Sequence, residues 1–332
     1  MSATIKDVAR QAGVSPSTVS RVIAQNPRIS PETVARVQET MRTLNYVPNA
    51  IARSLANSST KTIGFTIARP ADQAFANPFF SEILRGIASV SQRRGYKLML
   101  SMSSNHDWET RDCLQMVREK RIDGLILSTV RTHDPLVEAL VEEGVPFVVI
   151  GRSLQYQVPM VNNDNIDCGA QATRHLALQG RQHIAFISGS RDLVVSVDRI
   201  EGYRRTLQEL VPHCPERILE TSFTREGGYL AMAALAAQGP LPDSIVAADD
   251  LMALGAIDWL KEHGYKVPED VAVVGFNDDP VAAFARPPLT TVRVSTYHLG
   301  LEAGKMLLDI LGNGTTPEPV IVPGELVIRK ST

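Results

Sequence analysis

Apolar positions in the first 45 residues recur three and four apart, the spacing of a helix face. Ile5, Val8, Ala9 and Ala12 share one such face; Val19, Val22 and Ile23 share another. Thr4 stands at a capping position with Asp7 three residues on, and Gly13 permits a turn. Ser15 caps a second helix and Pro16 takes its first position, where a missing N–H costs nothing. Ser30-Pro31-Glu32 repeats that opening for a third helix running to about Leu44. After residue 62 the pattern changes. Apolar runs at 63–68, 97–101, 124–127, 146–150, 183–187, 244–247 and 271–276 alternate with amphipathic stretches at 79–94, 108–120, 135–143, 168–178, 198–211, 226–237 and 251–263. Buried strands alternating with helices imply parallel sheets covered on both faces. A late strand at 289–295, a helix at 296–311 and strands within 319–328, broken at Pro323-Gly324, complete the pattern. A body of about 270 residues is long for one doubly wound sheet, so two are expected.

Composition sharpens this picture in a few places. The 332 residues are 44% hydrophobic and 21% charged, and no apolar run approaches the roughly 20 residues of a membrane helix. The N-terminus carries Lys6, Asp7 and Arg10 and lacks the apolar core of a secretory leader, so a cytoplasmic protein with no membrane partner is expected. Cys113, Cys168 and Cys214 are far apart and odd in number, which fits buried or free thiols and neither a disulfide framework nor a metal site. The net charge of −2 is uneven: residues 1–60 hold seven basic residues against three acidic, and the rest is mildly acidic. A basic head on an acidic body suits a head that meets phosphate.

Enzyme chemistry finds no footing. There is no Gly-x-Gly-x-x-Gly turn, no phosphate loop ending Gly-Lys-Ser/Thr and no Gly-x-Ser-x-Gly elbow. The seven histidines are scattered without metal spacing. No cofactor is expected.

The two opening helices have the size of a helix-turn-helix for the major groove of DNA. With Val19, Val22 and Ile23 inward, Ser17, Thr18, Ser20 and Arg21 are left to point out, a set suited to base edges and phosphates. The segments TIKDVA, AGVS, TVSRV, LNYVPN and ARSLA occur in this order. In them the chain resembles the lactose/galactose repressor family of bacterial transcription regulators. Body segments such as DDLMALGA, PEDVAVVGFND and PPLTTV agree, so the resemblance covers essentially the whole chain.

The resemblance implies a helix-turn-helix domain at 1–46, a hinge helix and linker at 47–60, and an effector-binding and dimerisation domain at 61–332. The body would resemble a periplasmic sugar-binding protein: lobe 1 about 61–160 plus 290–318, lobe 2 about 161–289 plus 319–332, with crossings near 160–163, 289–292 and 318–323. Lacking a leucine-rich heptad tail after Ile328, the chain is expected to form a homodimer on palindromic double-stranded operator DNA. The implied base readers are Pro16, Ser17 and Arg21, with Arg21 able to bond guanine O6 and N7. Pro16 departs from the usual type there and offers only apolar contact. Thr4, Thr18 and Ser20 suit phosphates, and Ser15, Arg28 and Tyr46 complete the expected head surface. Residues 48–56 are too few to hold a helix alone, so this segment is expected to order when two copies pack on DNA. Asn49, Ala52 and Arg53 flank Leu55, the expected minor-groove wedge.

Loops beyond strand C-termini hold ligands in doubly wound sheets. Asn77-Pro78-Phe79-Phe80 follows the first body strand, and Phe79 and Phe80 suit stacking or core packing. Arg152 follows the strand at 146–150, either as a ligand clamp, the reading favoured here, or as a salt-bridge partner. The resemblance adds Arg199, Phe223, Asp249 and Asn277 from the second lobe. Of Asp249 and Asp250, one would bond hydroxyls and the other cap a helix. Asn277 stands where the family more often has aspartate. The expected effector is a small sugar, with α-glucosides such as maltose first, because Ala-Asn-Pro-Phe-Phe and Ile-Gly-Arg resemble maltose-type members. A purine corepressor, or a phosphorylated carrier protein docking near Tyr297, His298 and Lys305, are the alternatives within the family. A solute-binding protein is the alternative outside it.

Overall fold

A computed structural model describes residues 3–24, 26–47, 59–103, 105–314 and 317–332. The hinge residues Asn49, Ala52, Arg53 and Leu55 lie outside the described residues. The chain divides into two compact units, Met1–Thr62 with Met116–Asp123, and Ile63–Gln115 with Gly124–Thr332.

The first unit carries α1 (Ile5–Ala12), α2 (Pro16–Ile23) and α3 (Pro31–Thr43). Val8, Ala9, Ala12, Val19, Val22 and Val37 form its buried core, the faces that the spacing predicts. Gly13 ends α1 at φ 66°, in the left-handed region where a side chain would be strained. Ser15 and Ser30 cap α2 and α3, each followed by proline.

The second unit holds two sheets. The first orders its strands β11-β5-β4-β3-β1-β2: β1 (Thr62–Ile67), β2 (Lys97–Met102), β3 (Gly124–Leu127), β4 (Phe147–Ile150), β5 (Met160–Asn163) and β11 (Val320–Val322). The second runs β12-β10-β9-β8-β6-β7: β6 (Ile184–Ser188), β7 (Ile218–Glu220), β8 (Ser244–Ala247), β9 (Ala272–Asn277), β10 (Thr290–Arg293) and β12 (Glu325–Val327). Only β12 runs antiparallel to its neighbour, among the pairings described. The central strands are buried on both faces, as their continuous apolar runs require.

Around the first sheet lie α4 (Ala71–Ala76), α5 (Pro78–Arg93), α6 (His106–Arg118) and α7 (Pro135–Glu142). Around the second lie α8 (Asn165–Leu178), α9 (Val194–Leu210), α10 (Arg225–Ala237), α11 (Asp250–Glu262) and α12 (Pro280–Phe284). The late helix α13 (Thr296–Asn313) returns to the first lobe, where Leu299, Ala303 and Leu307 join Ile83 and Ile87 in one core. Sheet membership shifts the lobe divisions expected from sequence. β5 completes the first sheet through Asn163, β10 lies in the second sheet, and β11 lies in the first. Each crossing therefore falls just after a strand, once its ladder is complete, and not at its start. Three short elements, α4, β7 and α12, carry too few residues to show a period.

Candidate functional site

The head presents a short capped helix. Thr4 and Asp7 form a reciprocal box: the Asp7 amide donates to Thr4 Oγ1 (3.4 Å), and Asp7 Oδ2 accepts from the Thr4 amide (3.0 Å) and hydroxyl (2.7 Å). These bonds hold the Asp7 carboxyl below its usual range. At α2, Ser15 Oγ accepts from the Thr18 amide (3.1 Å) and lies 2.7 Å from Ser17 Oγ and 2.9 Å from Thr18 Oγ1.

The outward face of α2 is therefore narrower than the helix spacing suggested. Thr18 and Ser20 are half-buried, while Ser15, Pro16, Ser17 and Arg21 are exposed. The Thr4 and Thr18 hydroxyls are already engaged in caps. Arg21 is exposed, and its guanidinium has no hydrogen-bond or ion-pair partner among the described residues. Arg28 is also exposed, whereas Tyr46 is half-buried against the head core.

The same unit contains a clamp that the sequence did not announce. Asp123 Oδ1 accepts from the Thr60 amide (2.7 Å) and hydroxyl (2.8 Å). Its Oδ2 accepts from the Ser59 hydroxyl (2.6 Å) and the Lys61 amide (2.9 Å). One carboxylate thus collects four donors from three consecutive residues at the end of the expected linker.

In the second unit the C-terminal ends of both sheets line a cleft with about 770 Å³ of empty space, including its part open to solvent. Asn77, Phe79, Phe80 and Arg152 from the first lobe line it, with Arg199, Phe223, Asp249 and Asn277 from the second. All eight residues singled out from sequence thus converge on one cavity.

Asp249 is the polar centre of the far wall. Its Oδ1 caps α11 through the Leu251 amide (2.7 Å), and its Oδ2 accepts from Asn77 (3.0 Å) across the cleft and from Asn277 (3.2 Å) beside it. Burial raises its pKa against the pull of the Asn77 hydrogen bond, the helix amides and Arg199. Asp249 does the capping and also lines the cleft. Asp250 is turned into the core, accepting from the Thr291 hydroxyl (2.6 Å) and the Asp279 amide (2.8 Å). Asn277, at φ 103°, supplies an amide where a carboxylate would face Asp249.

Arg199 is buried. Its Nε donates to Asn165 Oδ1 (3.1 Å), one terminal nitrogen donates to the Ala248 carbonyl (2.5 Å), and its guanidinium carbon lies 4.4 Å from the Phe276 ring centre. Arg152 is a correction to the reading favoured from sequence. Its guanidinium is committed to a two-bond pair with Asp198, Nε to Oδ2 at 2.9 Å and a terminal nitrogen to Oδ1 at 2.5 Å. This pair also crosses the cleft. Backbone bonds from Thr132 N to Asp192 O (2.7 Å) and from Val194 N to Val130 O (3.1 Å) cross it again. The loop making them is braced by buried charges: Arg131 pairs with Glu109 (3.2 Å), and its amide donates to Asp134 (3.0 Å).

Phe79 and Phe80 meet edge to face at 5.2 Å between ring centres, and Phe80 is buried in the first core. Phe223 lies directly over Gly189, where a Cβ would fall inside its ring. The sequence reading missed Arg69. It follows β1 as Arg152 follows β4, and that position was the available signal. Its guanidinium carbon lies 4.7 Å from the Phe223 ring centre and 5.6 Å from that of Phe80. Burial of Cys113 and Cys168 pushes their thiols up to about 12 and about 11. No His/Cys/Asp/Glu group fit for a metal occurs among the described residues.

Comparisons with known proteins agree with this architecture. Residues 4–49 match the family described as bacterial regulatory proteins, lacI family, and residues 173–332 match a periplasmic binding protein-like domain. The chain is 37% identical over 333 residues to the transcriptional regulator CelR of Thermobifida fusca, covering 99% of this chain and 98% of that one. It is 40% identical over 270 residues to the regulator MalR of Streptococcus pneumoniae serotype 4, covering 81% and 82%. It is 35% identical over 333 residues to the repressor PurR of Histophilus somni, covering 99% and 98%. Among solved structures, a CelR–cellobiose complex superposes with a TM-score of 0.78 at 34% identity, covering 99% of this chain and 100% of that one. The Lac repressor dimer bound to operator and an anti-inducer superposes with a TM-score of 0.85 at 27% identity, covering 100% and 99%.

Proposed function

The chain belongs to the lacI family of bacterial regulatory proteins, and from that premise we propose that it is a cytoplasmic, nucleoid-associated repressor whose operator affinity is set by a small sugar. It binds a palindromic operator as a homodimer, each copy placing α2 in the major groove, with Pro16, Ser17 and Arg21 toward the bases. Leu55 wedges into the minor groove. Arg21 is the strongest base reader, since it alone on that face combines exposure with an uncommitted fork of donors. The effector is a gluco-disaccharide, maltose or another α-glucoside, held between the lobes.

One observation carries the sugar reading: aromatic rings, amides and guanidinium groups from both lobes converge on one cavity. Aromatic faces suit the C–H faces of a pyranose, and amides and guanidinium groups suit its hydroxyls. The CelR neighbour solved with cellobiose supports a glucose disaccharide. Closure over the ligand favours one lobe arrangement, and this biases the dimer on DNA. Linkage then requires operator DNA to change sugar affinity by the same factor.

Thermal-shift titration of the full chain against maltose, cellobiose, other disaccharides and purines tests the reading. Stabilisation by maltose is expected. Stabilisation by cellobiose alone would move the linkage from α to β, and stabilisation by a purine alone would replace the sugar reading with the corepressor one.

A further inference from the structure

The cleft contains a cation that no hydrogen bond or ion pair among the described residues satisfies. Arg152 is neutralised by Asp198, and Arg199 donates to Asn165 and Ala248. Arg69 lines the same cavity, yet its guanidinium has no hydrogen-bond or ion-pair partner among the described residues. It lies against the Phe223 and Phe80 rings. A guanidinium carries five N–H donors, and leaving them unmet in a site that closes away from water is costly. We infer that Arg69 contacts the effector and sets its specificity, donating to a pair of neighbouring hydroxyl oxygens on a neutral pyranoside. This deepens the proposed sugar reading and rests on it.

Two features select a neutral ligand over an anionic one. The first is Asp249, whose charge supports the Arg69 cation across the cavity while burial opposes it. A ligand carboxylate or phosphate at Arg69 would meet that same charge. The second is the aromatic pair beside the guanidinium, which offers C–H contact and no further positive charge. The fork itself presents parallel N–H groups that reach two adjacent oxygens, so it fixes the contact to a vicinal pair and leaves the charge class to those two features. Arg69 also joins the lobes, because it stems from the end of β1 and lies on Phe223 beyond β7. Phe223 is in turn held against Gly189, so this aromatic wall has a fixed place.

Calorimetric titration of the full chain with maltose, cellobiose, their monodeoxy analogues and a glucuronic-acid disaccharide tests the inference. Arg69→Met should weaken binding of the preferred neutral disaccharide at least about tenfold, and Arg69→Lys should weaken it less. At least one monodeoxy analogue should bind the wild type poorly and lose that penalty in Arg69→Met, which a packing role would not produce. Wild-type affinity in Arg69→Met, or unchanged deoxy penalties, would overturn the role of Arg69. Tighter binding of the acidic disaccharide would overturn the neutral class. If Arg69→Met does not fold, Arg69→Lys and Arg69→Gln carry the same deoxy comparison. Failure of the wild type to bind any saccharide would overturn the sugar reading, and this inference with it.

Discussion

Arg152 and Asp198 close a two-bond ion pair across the cleft, one from the end of β4 and the other from the first turns of α9. The Asp198 side chain is only 4% exposed, while that of Arg152 is 34% exposed. The acid thus depends on its partner more than the base does. Arg152→Met leaves a buried carboxylate unpaired and should lower stability by about 1–2 kcal/mol, discounted for the solvent that reaches Arg152. Denaturant titration reads this. Adding Asp198→Asn should recover part of the loss, and additive effects would deny that the pair is coupled.

The amide at position 277 matters because of its neighbour. Asn277→Asp would set a second carboxylate 3.2 Å from Asp249 Oδ2, replacing attraction with repulsion in a buried site. A loss of about 1–3 kcal/mol in stability is expected, together with a loss of effector affinity. Undisturbed unfolding curves at neutral pH would contradict it.

Asp279 supplies a pH signature. Burial, with Asp249 and Asp278 adding to it, raises its pKa from 3.8 to about 7, and its Oδ2 has no hydrogen-bond partner among the described residues. The folded state therefore holds this proton more tightly than the unfolded chain. The resulting stabilisation is complete below 3.8 and is lost as pH rises through about 7. Asp279→Asn should flatten that decline and leave the variant more stable than wild type above pH 7. Parallel declines in the two proteins between pH 4 and 8 would rule the assignment out.

The four donors gathered by Asp123 define where the linker ends. Asp123→Ala removes the acceptor for the Thr60 and Lys61 amides. Operator affinity should fall by about fivefold or more, the size of a lost charge-assisted bond, with effector affinity retained. Gel-shift and calorimetric titrations of one preparation separate the two.

Arg21 is expected to carry base discrimination. Arg21→Ala should cost about 1–3 kcal/mol of operator binding, and it should relax preference at one base pair per half-site. Competition with singly substituted operators measures this; an equal loss on every sequence would make Arg21 a phosphate contact instead.

Legibility followed physical scale. The helix caps at Thr4, Ser15 and Ser30 and the helical faces of the head are local, and so were readable from sequence. Central strands such as β3, β4 and β8 were readable because burial on both faces demands unbroken apolar runs. Phe80 was readable only as stacking or core, and the structure puts it in contact with both the first core and the cleft. Arg152 was readable as a ligand clamp or a salt-bridge partner, but which of the two was not, because Asp198 lies 46 residues away in the chain. Arg69 was missed for a related reason: whether a guanidinium finds a hydrogen-bond partner among the described residues is a property of its surroundings, and no local pattern records it.

The sequence by itself determined the modules: a capped helix-turn-helix on a basic head, followed by two alternating α/β lobes. Those follow from spacing, capping and burial periodicity, which act over a few residues. Only the tertiary structure decided the chemistry of the cleft. It committed Arg152 to Asp198, turned Asp250 inward, set Asn77 and Asn277 on one oxygen of Asp249, and gave the Arg69 guanidinium no hydrogen-bond partner among the described residues. Each of these depends on which distant side chain folding brings within about 3 Å, the range at which a hydrogen bond forms.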